Sequence, residues 1–195
     1  MSGRSKTIVL KICLLGDGGT GKTSLRTRYL GEGFTTEYSE TIGADFALKF
    51  SKLQYKGEER LIKHQIWDIA GQPRYTSVRS ILFDRSDGGL LLFDISNRNS
   101  FDSARDWLKT YVQYAGVGAV CLIGNKKDLR EAKGVSNLVT VKEGEDMAKR
   151  LSEEFKRPIQ YLETSAKTGL NVDTAFELLA KTYLELTSKL QTAGA

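Results

Sequence analysis

Residues 16–23 read GDGGTGKT and fit the pattern G-x-x-x-x-G-K-T, set between an apolar run and a helix-compatible stretch. Small residues let the backbone N–H groups of Gly16, Asp17, Gly18, Gly19, Thr20 and Gly21 curl around a phosphate, and the helix opening at Lys22, Thr23 and Ser24 adds its positive dipole end. In that pattern Lys22 reaches the outer phosphate oxygens and the Thr23 hydroxyl binds Mg²⁺. Such a loop selects phosphate but not the base. The stretch GNKKD (124–128) addresses the base, because it too ends an apolar run and offers Asn125, Lys126 and Asp128. The Asp128 carboxylate can accept both N1–H and the 2-amino group of guanine, whereas adenine would leave it unpaired and facing a lone pair. Buried hydrogen bonds of that kind reject a wrong base by a factor on the order of 10⁴, which disfavours an ATP-using enzyme. TSAK (164–167) is a third, weaker piece: its backbone N–H groups suit a guanine carbonyl oxygen, with Lys167 packed nearby, and Ser165, Ala166 and Lys167 are its nucleotide-binding candidates. WDIAGQPRY (67–75) ends an apolar strand on the carboxylate of Asp68, then places Gly71, Gln72 and Pro73 in sequence.

These residues need a scaffold, and the hydrophobic pattern supplies one. IVLKICLLG (8–16) reads as a strand, followed by a helix carrying Leu25, Tyr29 and Leu30. ADFALKF (44–50) alternates with period two at Phe46, Leu48 and Phe50, and LIKHQIWDI (61–69) alternates less cleanly; YKGEE between them predicts an antiparallel hairpin. GGLLLFDI and AVCLIGN are continuous apolar runs, as for central strands covered on both faces, and PIQYLETS (158–165) is a more polar strand near an edge. Phe101, Ala104, Leu108 and Tyr111 share a helical face behind a cap at Asn99 or Ser100, Thr140 to Glu143 forms a capping box, and Val172, Phe176, Leu179, Tyr183, Leu186 and Leu190 line a last helix. Strands alternating with helices give a doubly wound α/β fold with a mainly parallel sheet.

Composition narrows the partners. The chain has 195 residues, 40% of them hydrophobic, and a net charge of +5 with no run of five like charges. Dispersed charge argues against a nucleic-acid groove or a polybasic membrane tail. The N-terminal apolar segment is too short to span a bilayer, and neither a glycine at position 2 nor a cysteine near the C-terminus offers a lipid anchor. Cys13 and Cys121 lie inside apolar runs and read as reduced, buried thiols. A cytoplasmic monomer is the expectation. His64, the single histidine, matches Ile62 and Ile66 in strand parity and reads as a packed or half-exposed strand residue, not a catalytic one. Trp107 reads as packing, Trp67 as packing or a partner surface, and Arg74 and Arg79 as solvated, with Arg74 a local assistant to hydrolysis in the alternative.

Taken in order, GDGGTGKT, TIGADF, WDIAGQ, NKKD and ETSAK resemble the motifs of the small GTPases of the Ras superfamily, and TIGADF with WDIAGQ…Y is most similar to the Rab branch. The resemblance runs over residues 8–187. It implies a P-loop GTPase fold (G domain) over residues 7–190, between short tails 1–6 and 191–195, with a six-stranded sheet, one antiparallel edge strand and five helices. It implies a GTP/GDP molecular switch with Mg²⁺ that slowly hydrolyses GTP; a guanine-nucleotide scaffold with negligible hydrolysis is the alternative. By motif, Thr41 gives its hydroxyl to Mg²⁺ and its N–H to the γ-phosphate, Phe34 lies against guanine, and Tyr38 covers the phosphates. Asp68 holds Mg²⁺ through a water, the Gly71 N–H touches the γ-phosphate, and Gln72 orients the attacking water, so Gln72, Lys22 and Thr41 carry the catalysis. Gly18 serves by lacking a side chain that would crowd Gln72. Effectors, exchange factors and GTPase-activating proteins are expected on residues 38–50 and 71–83.

The chain departs from the Rab pattern at three places. Pro73 stands where glutamate is usual, Ile69 where threonine is usual, and KLQTAGA carries no prenylatable cysteine, which speaks against constitutive membrane attachment. Proline biases the preceding Gln72 toward extended backbone and suits the first position of a following helix. Pro73 is therefore expected to set hydrolysis rate and not nucleotide affinity. Single-turnover phosphate release from Pro73→Glu should differ from wild type at unchanged GDP affinity; an unchanged rate refutes the idea.

Overall fold

The computed structural model describes residues 7–33, 41, 43–71, 81–115 and 118–193. The elements run β1 (Ile8–Leu15), α1 (Lys22–Leu30), β2 (Ala44–Tyr55), β3 (Glu58–Ile69), β4 (Gly88–Asp94), α2 (Arg98–Asp102), α3 (Ala104–Ala115), β5 (Ala119–Asn125), a 3₁₀ turn (Lys127–Arg130), α4 (Val141–Phe155), β6 (Ile159–Glu163) and α5 (Val172–Ala193). Among the described residues these make one six-stranded sheet in the order β2-β3-β1-β4-β5-β6 and five α-helices. Only β2 and β3 pair antiparallel; every other neighbour is parallel. Strand order reverses at β1, so the loops leaving the C-terminal ends of the parallel strands open onto a shared crevice, the place where such sheets bind ligands.

The continuous apolar strands are buried along their whole length, as β4 and β5. One face of the sheet buries Leu10, Ile12, Ile66, Leu90 and Ile123 against Leu25, Tyr29, Phe176 and Leu179 of α1 and α5. The other buries Cys13, Leu91, Phe93 and Leu122 against Trp107, Leu108, Tyr111 and Leu151 of α3 and α4. Cys13 and Cys121 are free and buried, and burial pushes both thiols up to about 12, which removes them from nucleophilic chemistry at neutral pH. Among the described residues no helix is long and apolar enough to cross a membrane.

Two local expectations shift. The cap of the first central helix is Asn97, not Asn99 or Ser100: its side chain accepts from the backbone N–H groups of both. Ser100 is engaged elsewhere, its hydroxyl accepting from Asp94 N–H and donating to the Asn97 carbonyl, which ties the helix to the end of β4. The helical face of Phe101, Ala104, Leu108 and Tyr111 is buried as expected, but Ser103 interrupts it between α2 and α3. The second shift concerns β2. Phe46, Leu48 and Phe50 are 44%, 46% and 57% exposed, so the apolar side of that alternation faces outward while Leu53 turns in. The capping box at Thr140 and Glu143 forms as read.

His64 is buried with Ile62 and Ile66. Its Nε2 lies 2.8 Å from Ser51 Oγ, and its ring meets Tyr29 and Phe176 edge-on at 5.7 and 6.0 Å. Nδ1 is buried without a hydrogen-bond partner among the described residues. Burial, with the Lys49 charge adding, pushes the imidazole from 6.5 down to about 4. The unfolded chain therefore takes up a proton that the folded chain refuses between those values, and stability falls as pH drops from 6.5 toward 4. The loss from this group approaches about 3 kcal/mol. Urea unfolding of His64→Leu compared with wild type across that range should show the variant losing this component of the slope.

Candidate functional site

The phosphate loop joins β1 to α1 and is shaped by what its glycines leave out. Gly16 sits at φ +128, where a Cβ would lie 2.1 Å from the Leu92 carbonyl oxygen; Gly21 sits at φ +92, where one would lie 2.3 Å from Asn125 Nδ2. Only glycine satisfies both the backbone angle and the space. Lys22 is buried, and its ammonium folds back to donate to the carbonyls of Gly16 at 2.7 Å and Asp17 at 2.8 Å. Thr20 Oγ1 also donates to the Asp17 carbonyl, at 2.9 Å. The result is a positive group inside a ring of small residues at a helix start.

Beside it lies a corner of oxygens. Thr23 Oγ1 is 3.0 Å from Thr41 Oγ1 and donates to Asp68 Oδ2. Asp68 is fully buried, and its Oδ1 has no hydrogen-bond partner among the described residues. Burial pushes its carboxyl up, against the Thr23 hydrogen bond and the Lys22 and Arg26 charges that pull it down. Two hydroxyls and an orphaned carboxylate oxygen form a hard, oxygen-only donor set of the kind Mg²⁺ takes. Asp45, opposite Asp68 in the hairpin register, pairs with Arg26 of α1, which holds the start of β2 against the corner.

The base end is built around Asn125. Its Nδ2 donates to the Thr20 carbonyl at 2.9 Å, and its Oδ1 accepts from Thr164 Oγ1 at 3.1 Å and Ala166 N–H at 3.3 Å. Lys126 turns through φ +70 and pairs with Asp94 at 2.6 Å. Asp128 Oδ1 accepts from Ser165 Oγ at 2.6 Å. Ser165 differs from the expectation of a backbone donor, because its N–H is held by the Leu170 carbonyl at 3.0 Å in a tight turn; its contribution is the hydroxyl that steadies Asp128. Arg28 of α1 donates to the carbonyls of Ala166 and Lys167 at 2.9 and 2.6 Å, fastening that turn to the phosphate side.

Residues 16–24, Thr41, Asp68, Gly71, Asn125, Lys126, Asp128 and 165–167 thus occupy or adjoin loops at one edge of the sheet. A Cβ on Gly71 would lie 2.4 Å from Gly18 N and 2.5 Å from Asp17 C, so this loop and the phosphate loop touch. Phe34, Tyr38, Gln72, Pro73, Arg74 and Arg79 lie outside the described residues. Sequence reasoning missed Arg26, Arg28, Asp94 and Ser103, which act from one element onto another and carry no motif of their own, and it assigned no role to Thr164 within TSAK. Trp107 packs as read, yet its Nε1 also donates to Asp17 Oδ1 at 2.7 Å. The i, i+4 spacing of Ser103 and Trp107 was the single visible trace of that pairing.

A family model described as the Ras family matches residues 11–185. The chain is 36% identical over 190 residues to the Ypt/Rab-type GTPase YPT7 of Saccharomyces cerevisiae, covering 95% of this chain and 86% of that protein. It is 37% identical to the Ras-related protein RABG3f of Arabidopsis thaliana over the same shares of each. Against the Ras-related protein Rab-13 of Rattus norvegicus it is 34% identical, covering 90% of this chain and 80% of that one.

Replacing Asn125 strips partners from the Thr20 carbonyl, the Thr164 hydroxyl and the Ala166 N–H at once. Asn125→Ala should lower unfolding free energy by about 2–4 kcal/mol, read by urea denaturation. A change within about 0.5 kcal/mol contradicts the assigned role.

Proposed function

Because this chain belongs to the Ras family, on its Rab branch, and is a small GTPase switch that binds guanine nucleotide and hydrolyses GTP, we propose that both take place in the crevice at the C-terminal ends of β1, β3, β5 and β6. The observation carrying this reading is that Asn125 joins the Lys22 loop to the loops of Asp128 and Ala166, which sets a phosphate cradle and a guanine-selective carboxylate at fixed separation. The yeast relative YPT7 is named a Ypt/Rab-type GTPase, and nothing supports the non-hydrolysing scaffold.

At the base end Asp128, steadied by Ser165, takes N1–H and the 2-amino group of guanine, the Ala166 N–H is shared between Asn125 Oδ1, 3.3 Å away, and the guanine carbonyl, and Lys126 and Lys167 pack along the base. Phe34 lies against guanine and Tyr38 over the phosphates. At the phosphate end the Lys22 ammonium exchanges the Gly16 and Asp17 carbonyls for phosphate oxygens. The Thr23 and Thr41 hydroxyls would hold Mg²⁺ directly and Asp68 through a water, and the ion would neutralise charge on the phosphates. The orphaned Asp68 Oδ1 is what supports that placement. Thr41 and Gly71 direct N–H groups at the γ-phosphate, and Gln72 orients the attacking water. Phosphoryl transfer asks mainly for position and charge neutralisation, so no strong base is required.

The switch follows from two of those contacts. Thr41 and Gly71 hold their loops only while a γ-phosphate is there to bind, and hydrolysis releases both. Effectors, exchange factors and GTPase-activating proteins then read residues 38–50 and 71–83. With no arginine assigned to the transition state, unassisted turnover is on the order of 10⁻⁴ to 10⁻³ s⁻¹. The buried free thiols suit a reducing compartment, and we place the protein in the cytoplasm as a monomer.

Single-turnover assays with GTP test the assignment. Gln72→Leu should slow phosphate release by about tenfold or more while GTP still binds. Asp128→Ala should lose guanine-over-adenine preference by about 10³-fold or more. Chelation of Mg²⁺ should stop release in wild type. Guanine preference retained in Asp128→Ala would undo the base assignment.

A further inference from the structure

Asp17 is held from two sides in a way the phosphate-binding role does not require. Its carbonyl takes the Thr20 hydroxyl and the Lys22 ammonium, as the cradle demands. Its side chain points the other way and is gripped by α3: Ser103 Oγ donates to Oδ2 at 2.6 Å and Trp107 Nε1 donates to Oδ1 at 2.7 Å. Hydrogen bonds to an ionised acceptor are the strong ones, and here both carboxylate oxygens receive one.

The support behind that grip is rigid. The Trp107 ring is buried in the cluster that contains Ile69, Phe83, Leu108 and Leu151, so its N–H has little freedom to follow Asp17 if the loop moves. Arg105, two residues earlier, is forked onto Glu154 of α4 through two nitrogens. Ser103 stands at the break between α2 and α3, and its hydroxyl lies 3.2 Å from the Ser100 carbonyl but reaches across to the nearer Asp17 carboxylate at 2.6 Å. On the opposite side of Asp17, Gly71 approaches so closely that a Cβ there would lie 2.5 Å from Asp17 C and 2.4 Å from Gly18 N. The Asp17–Gly18 peptide is therefore clamped between α3 and the loop that follows β3.

We propose that Ser103 and Trp107 are positioning residues for GTP hydrolysis: through the Asp17 carboxylate, α3 fixes the Asp17–Gly18 peptide against Gly71 and so sets the place where the γ-phosphate stands. The inference rests on the cradle assigned above. It gives the effect a location. The part of the loop that Gly21 and Lys22 form touches the Asp17 carbonyl but has further anchors in Asn125, the Gly16 carbonyl and the start of α1, and it serves GDP and GTP alike. The Asp17–Gly18 peptide faces Gly71, the group assigned to the γ-phosphate, which GDP lacks. Loss of the grip should therefore damage hydrolysis far more than GDP binding. A brace that merely stabilised the fold would lower both together.

The test is a Ser103→Ala/Trp107→Phe double variant, which deletes both donors and keeps an aromatic ring in the core, beside Ser103→Thr, which keeps the hydroxyl. Single-turnover hydrolysis of GTP should fall about 10- to 100-fold in the double variant, the scale of sub-ångström to ångström misplacement. Its GDP affinity, titrated with a fluorescent GDP, should stay within about threefold. Ser103→Thr should hydrolyse at the wild-type rate. If the double variant folds poorly, Ser103→Ala alone should show the same split at smaller size. Wild-type hydrolysis in both donor-deletion variants, or equal losses of hydrolysis, GDP affinity and Tm, overturns the proposal. Wild type failing to bind GDP at all would instead overturn the cradle, and the inference with it.

Discussion

Three loops leave the same edge of the sheet, and none of them has regular structure to hold it there. The buried carboxamide of Asn125 is what they share: one donor to the phosphate loop, and one acceptor for both Thr164 and Ala166. A hydrogen bond to a neutral amide contributes only about 1 kcal/mol net, but leaving any of these buried groups without a partner costs more than that. Their geometry is correspondingly exacting. The Asn125 amide lies where a Cβ on Gly21 would stand, so the glycine of the phosphate motif and the asparagine of the base motif are required by each other. Two motifs separated by about a hundred residues are, physically, two halves of one contact.

That dependence explains what was legible in the sequence and what was not. What depended on local pattern was legible: His64 is buried with Ile62 and Ile66 as strand parity required, and the glycine-rich stretch does turn with positive φ at Gly16 and Gly21 between β1 and α1. The reading was weaker wherever a group's partner came from another element. Nothing local distinguishes Arg28 from any other arginine on a helix, yet it fastens the turn at Ala166. The cap at Asn97 was misplaced because Ser100, an equally good capping residue, is drawn away by the end of β4. The Ser165 backbone was assigned to the base for want of any sign that Leu170 would take its N–H.

The phosphate end, by contrast, is built with its electrostatics incomplete. Lys22 is a buried ammonium satisfied by carbonyl oxygens, and Asp68 is a buried carboxylate with one oxygen unmet and a carboxyl pushed up by burial. Buried charges of both signs are costly to hold, and the Lys22 charge only partly offsets the burial that pushes the Asp68 carboxyl up. A phosphate for the lysine and a divalent cation for the aspartate would relieve both at once. The local cost is thus the counterpart of binding energy, and a ligand that relieves it adds stability in proportion to its affinity.

The same economy reaches the β2–β3 hairpin. Its outward side carries Phe46, Leu48 and Phe50 beside Lys52, Gln54, Lys63 and Gln65, with Phe46 against Trp67 at 4.9 Å, while its inner end carries Asp45 and the Gly43 carbonyl that accepts from Ala70 N–H at 2.9 Å. Trp67 packs as the first of its two readings had it, half-buried on the sheet and against the ring of the exposed Phe46. The two loops that would sense a γ-phosphate, at Thr41 and Gly71, are joined to opposite strands of this hairpin within a few residues of that backbone bond. The ladder behind them is paired at every residue from Ala44 to Tyr55, so both loops border one continuous hydrogen-bonded ribbon. The exposed apolar side of β2 and the oxygen corner at Thr41 and Asp68 thus belong to one hairpin.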